Sequence, residues 1–216
     1  MAIQVAHVFT DRRHGDLAVD GAPAVLTARR AAVRATPWTW LRQVHGFHVV
    51  HAAVPGEHAG VEADAVVTAT PGVALAVHSA DCASVLLVGD GGIGVAHAGW
   101  RGLVAGVIEA TAAALADLGT PPQRAVLGPC IRSCCYEFGG GDLDLVAAHY
   151  GADVRSTTGS GTASLDLPAA VAGACRAAGI EELDDAGTCT ACSPQHWSHR
   201  AAGDTGRQAL VAWLGP

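Results

Sequence analysis

Four short apolar runs follow one another in quick succession: Ala65–Thr68, Val73–Val77, Ser84–Val88 and Ile93–His97. Glycine, proline and aspartate punctuate them. Pro71-Gly72 ends the first interval, and Gly89-Asp90-Gly91-Gly92 has the composition of a hairpin turn between the last two runs. This pattern predicts a buried antiparallel or mixed sheet. A hairpin at Gly89–Gly92 would bring residues before the third run and at the end of the fourth to one edge of that sheet.

The rest of the chain supplies further strands and covering helices. Ile3–Phe9 reads as a first strand, and Pro23–Ala35 as a helix with proline suited to its first turn. Trp38–Leu41 and Phe47–Ala53 read as strands flanking a corner at His45, with a loop over Pro55–Glu62. Gly102–Leu118 has helical spacing, with Leu103, Val107, Ala110, Ala114 and Leu118 near one face. Ala125–Leu127 reads as a strand, Asp142–Tyr150 and Asp166–Ala178 as helices, and Thr188–Ala191 and Gln208–Trp213 as late strands. Gly159-Ser160-Gly161 is a surface loop. No repeat or long linker divides the 216 residues, so residues 1–216 are expected to form one α+β domain.

Charge and cysteine content restrict function. A net charge of −7 argues against a general nucleic-acid binder, which favours a basic face. A local cationic pocket for a small anion stays open, because exposed charges are screened beyond about 8 Å in physiological salt. No apolar run is long enough to span a bilayer, so no membrane partner is expected. The start, Met1-Ala2-Ile3-Gln4-Val5-Ala6-His7, has no basic n-region and no long apolar run. With seven cysteines, an odd number, this reads as a reducing cytoplasmic setting with free or metal-bound thiols.

His45, Cys82 and His97 lie in glycine-flanked segments: Arg42-Gln43-Val44-His45-Gly46, Ala80-Asp81-Cys82, and His97-Ala98-Gly99-Trp100-Arg101-Gly102. Two imidazoles and a thiolate suffice for a zinc ion and leave its fourth position open. Copper(II), which outcompetes zinc at most nitrogen and sulfur sites, is a second metal this donor set admits. The three residues are far apart in sequence, so a shared site would need tertiary structure to assemble it. The alternative is a buried cysteine and two unrelated hydrogen-bonded histidines. His78 reads as a hydrogen-bonded core histidine, Cys130 and Cys175 as core, and Trp100 as packing beneath the site. Cys189 and Cys192 form a Cys-x-x-Cys pair without a second such pair, which argues against a structural zinc. Cys134-Cys135-Tyr136 reads as pocket wall, with no disulfide between the adjacent cysteines.

These segments resemble the bacterial YfiH-type proteins, also known as the laccase-domain or multicopper polyphenol oxidase family. Gln43-Val44-His45-Gly46, Ala80-Asp81-Cys82, His97-Ala98-Gly99-Trp100-Arg101-Gly102, Gly128-Pro129-Cys130, Cys134-Cys135-Tyr136-Glu137-Phe138-Gly139, Cys189-Thr190 and Thr205-Gly206-Arg207 run in family order across nearly the whole chain. The resemblance implies a sandwich of mixed β-sheets covered by helices, and a zinc bound by His45, Cys82 and His97. It also implies a purine nucleoside phosphorylase acting on adenosine, inosine and methylthioadenosine with phosphate, with adenosine deamination as a side activity. Polyphenol oxidation and peptidoglycan editing are other activities attached to the family. Departures are His78-Ser79 before Ala80, the short stretch after Gly15, and Gln195-His196-Trp197-Ser198-His199-Arg200 in place of a Phe-Phe-Ser-Tyr-Arg-Arg-like segment.

On that implication the remaining candidates take roles. Arg101, at a predicted helix start, is the first choice for phosphate, since a guanidinium grips an oxyanion in a bidentate fork. Arg42, Gln43 and Tyr136 are further substrate contacts, with a rim salt bridge as the other reading of Arg42. Asp81 would orient a metal-bound histidine, act as general acid or base, or form a turn. Cys82 with His97 as base would instead suit a cysteine hydrolase. A multicopper oxidase needs many histidines in His-x-His clusters. The 11 histidines here lack that clustering, so oxidation is the less favoured activity.

Overall fold

The computed structural model describes residues 4–215. Its elements in chain order are β1 (Val5–Phe9), α1 (Pro23–Val33), β2 (Trp38–Arg42), β3 (Val49–His51), β4 (Val61–Glu62), β5 (Ala65–Thr68), β6 (Ala74–Ser79), β7 (Ala83–Gly89), β8 (Gly92–Ala98), α2 (Trp100–Val104), α3 (Val107–Asp117), β9 (Pro122–Leu127), α4 (Gly140–Tyr150), β10 (Arg155–Thr157), β11 (Ala163–Leu165), α5 (Leu167–Ala177), β12 (Glu182–Asp185), α6 (His199–Ala202) and β13 (Gln208–Leu214). The four valine-rich runs become β5 to β8. The proposed first strand begins at Ile3, which lies outside the described residues.

Two mixed sheets face each other. One has the order β1-β13-β6-β2-β4 and the other β12-β9-β7-β8-β5-β3; β10 and β11 form a separate hairpin around the Gly159–Gly161 loop. Alternation along each strand sends one set of side chains into the gap between sheets. Leu75 and Val77 of β6 and Leu210 of β13 meet Leu86 of β7 and Val95 of β8 there. The other face of the six-stranded sheet, with Val85 and Leu87, is covered by Ile108 and Leu115 of α3 and Val171 of α5. The outer face of the five-stranded sheet packs Trp38, Ala76 and Val211 with Leu17. Among the described residues, no helix is long and apolar enough to cross a membrane.

Two expectations fail for identifiable reasons. The helix predicted over Gly102–Leu118 is two helices, because Gly106 between α2 and α3 sits at φ +88°, a left-handed conformation that ends the first helix. Thr188–Ala191 is not a strand: it makes one isolated bridge, Cys130 to Cys189, and then turns. Glu182–Asp185, charged and without apolar alternation, is instead the parallel edge strand beside β9.

Candidate metal centre

The β7–β8 hairpin sets the first half of the site. Its register pairs Ser84 with His97 and Ala83 with Ala98, so Cys82 before β7 lies opposite Gly99 after β8. A Cβ at position 99 would stand 2.9 Å from His45 Cδ2 and 3.1 Å from Cys82 Sγ. Only glycine leaves this space to the histidine and the thiol. His97, on the same hairpin, is buried with 3% of its surface exposed.

The second half comes from the turn after β2. His45 has a positive φ of 60°, and the turn is held by one carboxylate. Asp64, fully buried, accepts backbone N–H groups from Val44 (3.2 Å), His45 (3.0 Å) and Gly46 (2.7 Å). The same carboxylate lies 2.9 Å from His97 Nδ1. Burial pushes the Asp64 carboxyl up, but the His97 hydrogen bond and the amides of Gly46 and Val44 outweigh it and hold the group below its ordinary value. One buried acid thus positions His45 and fixes which edge of the His97 ring faces the site. Sequence reading missed Asp64, which sits between Ala63 and Ala65 with no spacing pattern to mark it.

His45, Cys82 and His97 bring their donor atoms within 4.8 Å of one another, with Cys82 Sγ 3.9 Å from His45 Nε2. A tetrahedral zinc with nitrogen at about 2.0 Å and sulfur at about 2.3 Å separates those donors by about 3.5 Å, so the three fit a common ion. Gly99 adds the cradle, and the mix of imidazole and thiolate suits zinc or copper. Burial opposes a charged Cys82, yet the His97 charge and hydrogen bonds from His45 and His97 pull its thiol down to about 6. His97 moves the other way: burial lowers it, while Cys82 and Asp64 raise it to about 9.

The triad opens onto a cavity of about 700 Å³, lined also by Arg42, His78, His199 and Arg207. His78 corrects an expectation. It is buried, but neither ring nitrogen has a partner among the described residues. Burial, together with the charges of Arg30, His97 and Arg207, lowers it to about 3, so it is a neutral imidazole on the cavity wall.

The other sequence candidates divide between the cavity lining and positions outside it. Gln43 lines the cavity, but its amide is committed: Oε1 accepts from His78 N–H and Nε2 donates to the His78 carbonyl, both at 2.7 Å. It holds the strand that carries His78. Asp81, at φ 102°, does not touch a histidine of the triad; it accepts from Thr190 Oγ1 (2.6 Å) and Arg200 N–H (2.7 Å). Asp64 occupies the orienting position considered for it. Tyr136 is buried against Phe138 and under Arg200 and is not among the residues lining the cavity. Arg101 is exposed and stacks on Trp100, 4.4 Å from the ring centroid, also outside the lining. Arg42 is on the wall. Cys130 and Cys175 are buried, and Trp100 packs edge-on against Phe138.

A family model described as multi-copper polyphenol oxidoreductase laccase matches residues 10–215. The chain belongs to this laccase-like family. Curated relatives include a Streptomyces coelicolor protein, 40% identical over 88% of this chain and 80% of its own length, and a Deinococcus radiodurans protein, 36% identical over 98% and 90%. Both carry the name purine nucleoside phosphorylase. The crystal structure of Neisseria meningitidis protein NMB0706 superposes with a TM-score of 0.87 at 29% identity, covering 100% of this chain and 99% of that one. The structure of YlmD from Geobacillus stearothermophilus gives 0.84 at 25% identity, over 98% and 92%. The α+β sandwich is thus the fold of YfiH-type proteins.

Proposed function

We propose that this protein is a zinc-dependent purine nucleoside phosphorylase that converts adenosine, inosine or methylthioadenosine and phosphate to free base and sugar 1-phosphate. The observation that carries the reading is the open face of the His45–Cys82–His97 triad on a nucleoside-sized cavity. The names of relatives that span most of this chain support it. When bound, the ion would supply a fixed positive charge that attracts an anion or steadies a departing base. Asp64 keeps the proton on His97 Nδ1, so the opposite nitrogen serves as ligand. In phosphorolysis a phosphate oxygen bonds to C1′ as the bond to the base nitrogen breaks. The bonding pair leaves with the base, which takes up a proton.

Catalysis here is positioning and charge. The two ring nitrogens of neutral His78 are buried without partners beside the cavity, so a small turn of the ring toward a bound purine would let one donate and the other accept. Arg42, on the wall at the end of β2, is the phosphate contact we favour over Arg101. Arg207 directs Nη1 to the carbonyls of Asp204, Thr205 and Gly206 and shapes the loop instead. The test is phosphate-dependent release of hypoxanthine from inosine, and of adenine from adenosine, by the purified protein and by Cys82→Ala. Equal rates in both would end the proposal. Inosine formed from adenosine without phosphate would report deamination.

One observation favours a second reading. Cys82, His97 and Asp64 stand in the order nucleophile, base and orienting acid of a cysteine hydrolase. His45 argues for the metal, since a nucleophile has no use for a second imidazole 3.9 Å from its sulfur. One tightly bound zinc at the triad contradicts the hydrolase; an active metal-free protein supports it. For polyphenol oxidation, the donor groups gathered among the described residues are this triad and a set of four cysteines, without the histidine clusters a multicopper centre uses.

A further inference from the structure

Four cysteines that the cavity chemistry does not use converge at the surface. Cys134, Cys135, Cys189 and Cys192 place their sulfurs within 4.8 Å of one another. The two loops that carry them are laced together by Cys130 N–H to Thr188 O (3.3 Å) and Thr190 N–H to Cys130 O (3.1 Å). In the first loop, Cys135 N–H and Tyr136 N–H both close on the Arg132 carbonyl at 2.9 and 3.0 Å. That tight turn brings the adjacent Cys134 and Cys135 to the same partner, with sulfurs 3.8 and 3.3 Å from Cys192 Sγ. In the second loop, Ser193 N–H closes on the Cys189 carbonyl at 3.1 Å, folding the Cys-x-x-Cys segment back on itself.

We propose that Cys134, Cys135, Cys189 and Cys192 form a closed four-thiolate site for one zinc ion, separate from the His45–Cys82–His97 centre. Sulfurs bound at about 2.3 Å around a tetrahedral zinc lie about 3.8 Å from one another, close to the spacings here. A disulfide joins one sulfur to one other at about 2.05 Å and gives no reason for two cysteines to converge on Cys192. Four soft thiolates select zinc or iron among the abundant metals, and a full shell leaves no position for substrate, which makes the site structural. The isolated Cys-x-x-Cys pair, read from sequence as an argument against zinc, gains its missing half from the adjacent cysteines of the other loop.

The site would staple the cavity's outer wall. Thr190, next to Cys189, donates to Asp81, and Ile131 N–H on the other loop donates to the Asp81 carbonyl at 2.8 Å. Asp81 in turn precedes Cys82. An ion joining the loops would hold that segment without touching substrate.

Zinc content of the reduced, purified protein tests this, with X-ray absorption at the zinc edge. Two zinc ions per wild-type chain are expected, falling to one in Cys82→Ala and to one in Cys189→Ser/Cys192→Ser. In Cys82→Ala the remaining ion should show sulfur neighbours alone at about 2.3 Å. The milder Cys134→Ser should weaken zinc retention against a chelator if the double variant does not fold. A wild-type chain that holds one zinc only, unchanged in Cys82→Ala and with an all-sulfur shell, sustains this site and removes the metal from the triad. Zinc lost entirely in Cys82→Ala overturns the proposal. So does a nitrogen-containing shell in that variant, or a disulfide among the four cysteines in the freshly purified chain.

Discussion

Asp64→Asn puts the two roles of that buried acid in conflict. Four donors face the carboxylate: Oδ1 takes His45 N–H and His97 Nδ1, while Oδ2 takes the N–H groups of Val44 and Gly46. Asparagine can present an oxygen to only one of these pairs. With its NH₂ toward His97, the imidazole must accept at Nδ1 and carry its proton on the nitrogen that faces Cys82, which blocks ligation. With its NH₂ toward Val44 and Gly46, the turn that places His45 loses both amide anchors. Each orientation removes one ligand. Two lost hydrogen bonds to a charged acceptor cost about 3 kcal/mol or more. In a chain of this length that lowers the melting temperature by roughly 6–12 °C. Zinc affinity at the triad should fall about 10–100-fold, the usual effect of removing a ligand's hydrogen-bond partner. Competition with a chelator in a Cys189→Ser/Cys192→Ser background isolates this centre, and calorimetry gives the melting point. Affinity within about twofold of the parent would refute the assigned role of Asp64, since the weakest expected effect is about tenfold.

Three further outcomes follow from the same geometry. Gly99→Ala should abolish triad metal binding while leaving far-ultraviolet circular dichroism unchanged, because its Cβ meets His45 and Cys82 at 2.9 and 3.1 Å. Retained zinc at that centre would contradict it. His78→Leu should leave stability equal or higher, since it removes two unpartnered buried nitrogens, while raising KM for nucleosides. A lower melting point with unchanged KM would show that His78 is structural only. Metal uptake should release one proton from the Cys82–His97 pair between about pH 6 and 9. There the thiol is already ionised and the imidazolium must give up its proton. Above about 9 that release disappears. Calorimetric titration in buffers of different ionisation enthalpy reads it, and proton release that stays constant through pH 9 would sink the assignment.

Local chemistry was legible and non-local partnership was not. The valine-rich runs and the Gly89–Gly92 turn carry their own period and punctuation, so β7 and β8, and with them the nearness of Cys82 to His97, could be read directly. Gly106 was hidden because apolar spacing continues through it, while its left-handed backbone does not. Asp64 acts on a histidine 33 positions away, and no periodicity links the two. The four surface cysteines illustrate the same limit: Cys134 and Cys192 are 58 positions apart, and only the ladder through Cys130 brings them together.

The hairpin has a consequence for the order in which the triad is completed. Cys82 and His97 flank a two-residue reversal and are juxtaposed by purely local pairing, which isolated peptides achieve in about 1–10 μs. His45 reaches them only after β2 has docked alongside β6, across the width of the sandwich. Should this local hairpin pair before the sheets dock, a newly made chain would offer a passing cation two teeth first, and the third would close when the sheets lock. An ion seized early would be exchangeable until that moment, so choice among metals belongs to the finished fold and not to the nascent hairpin.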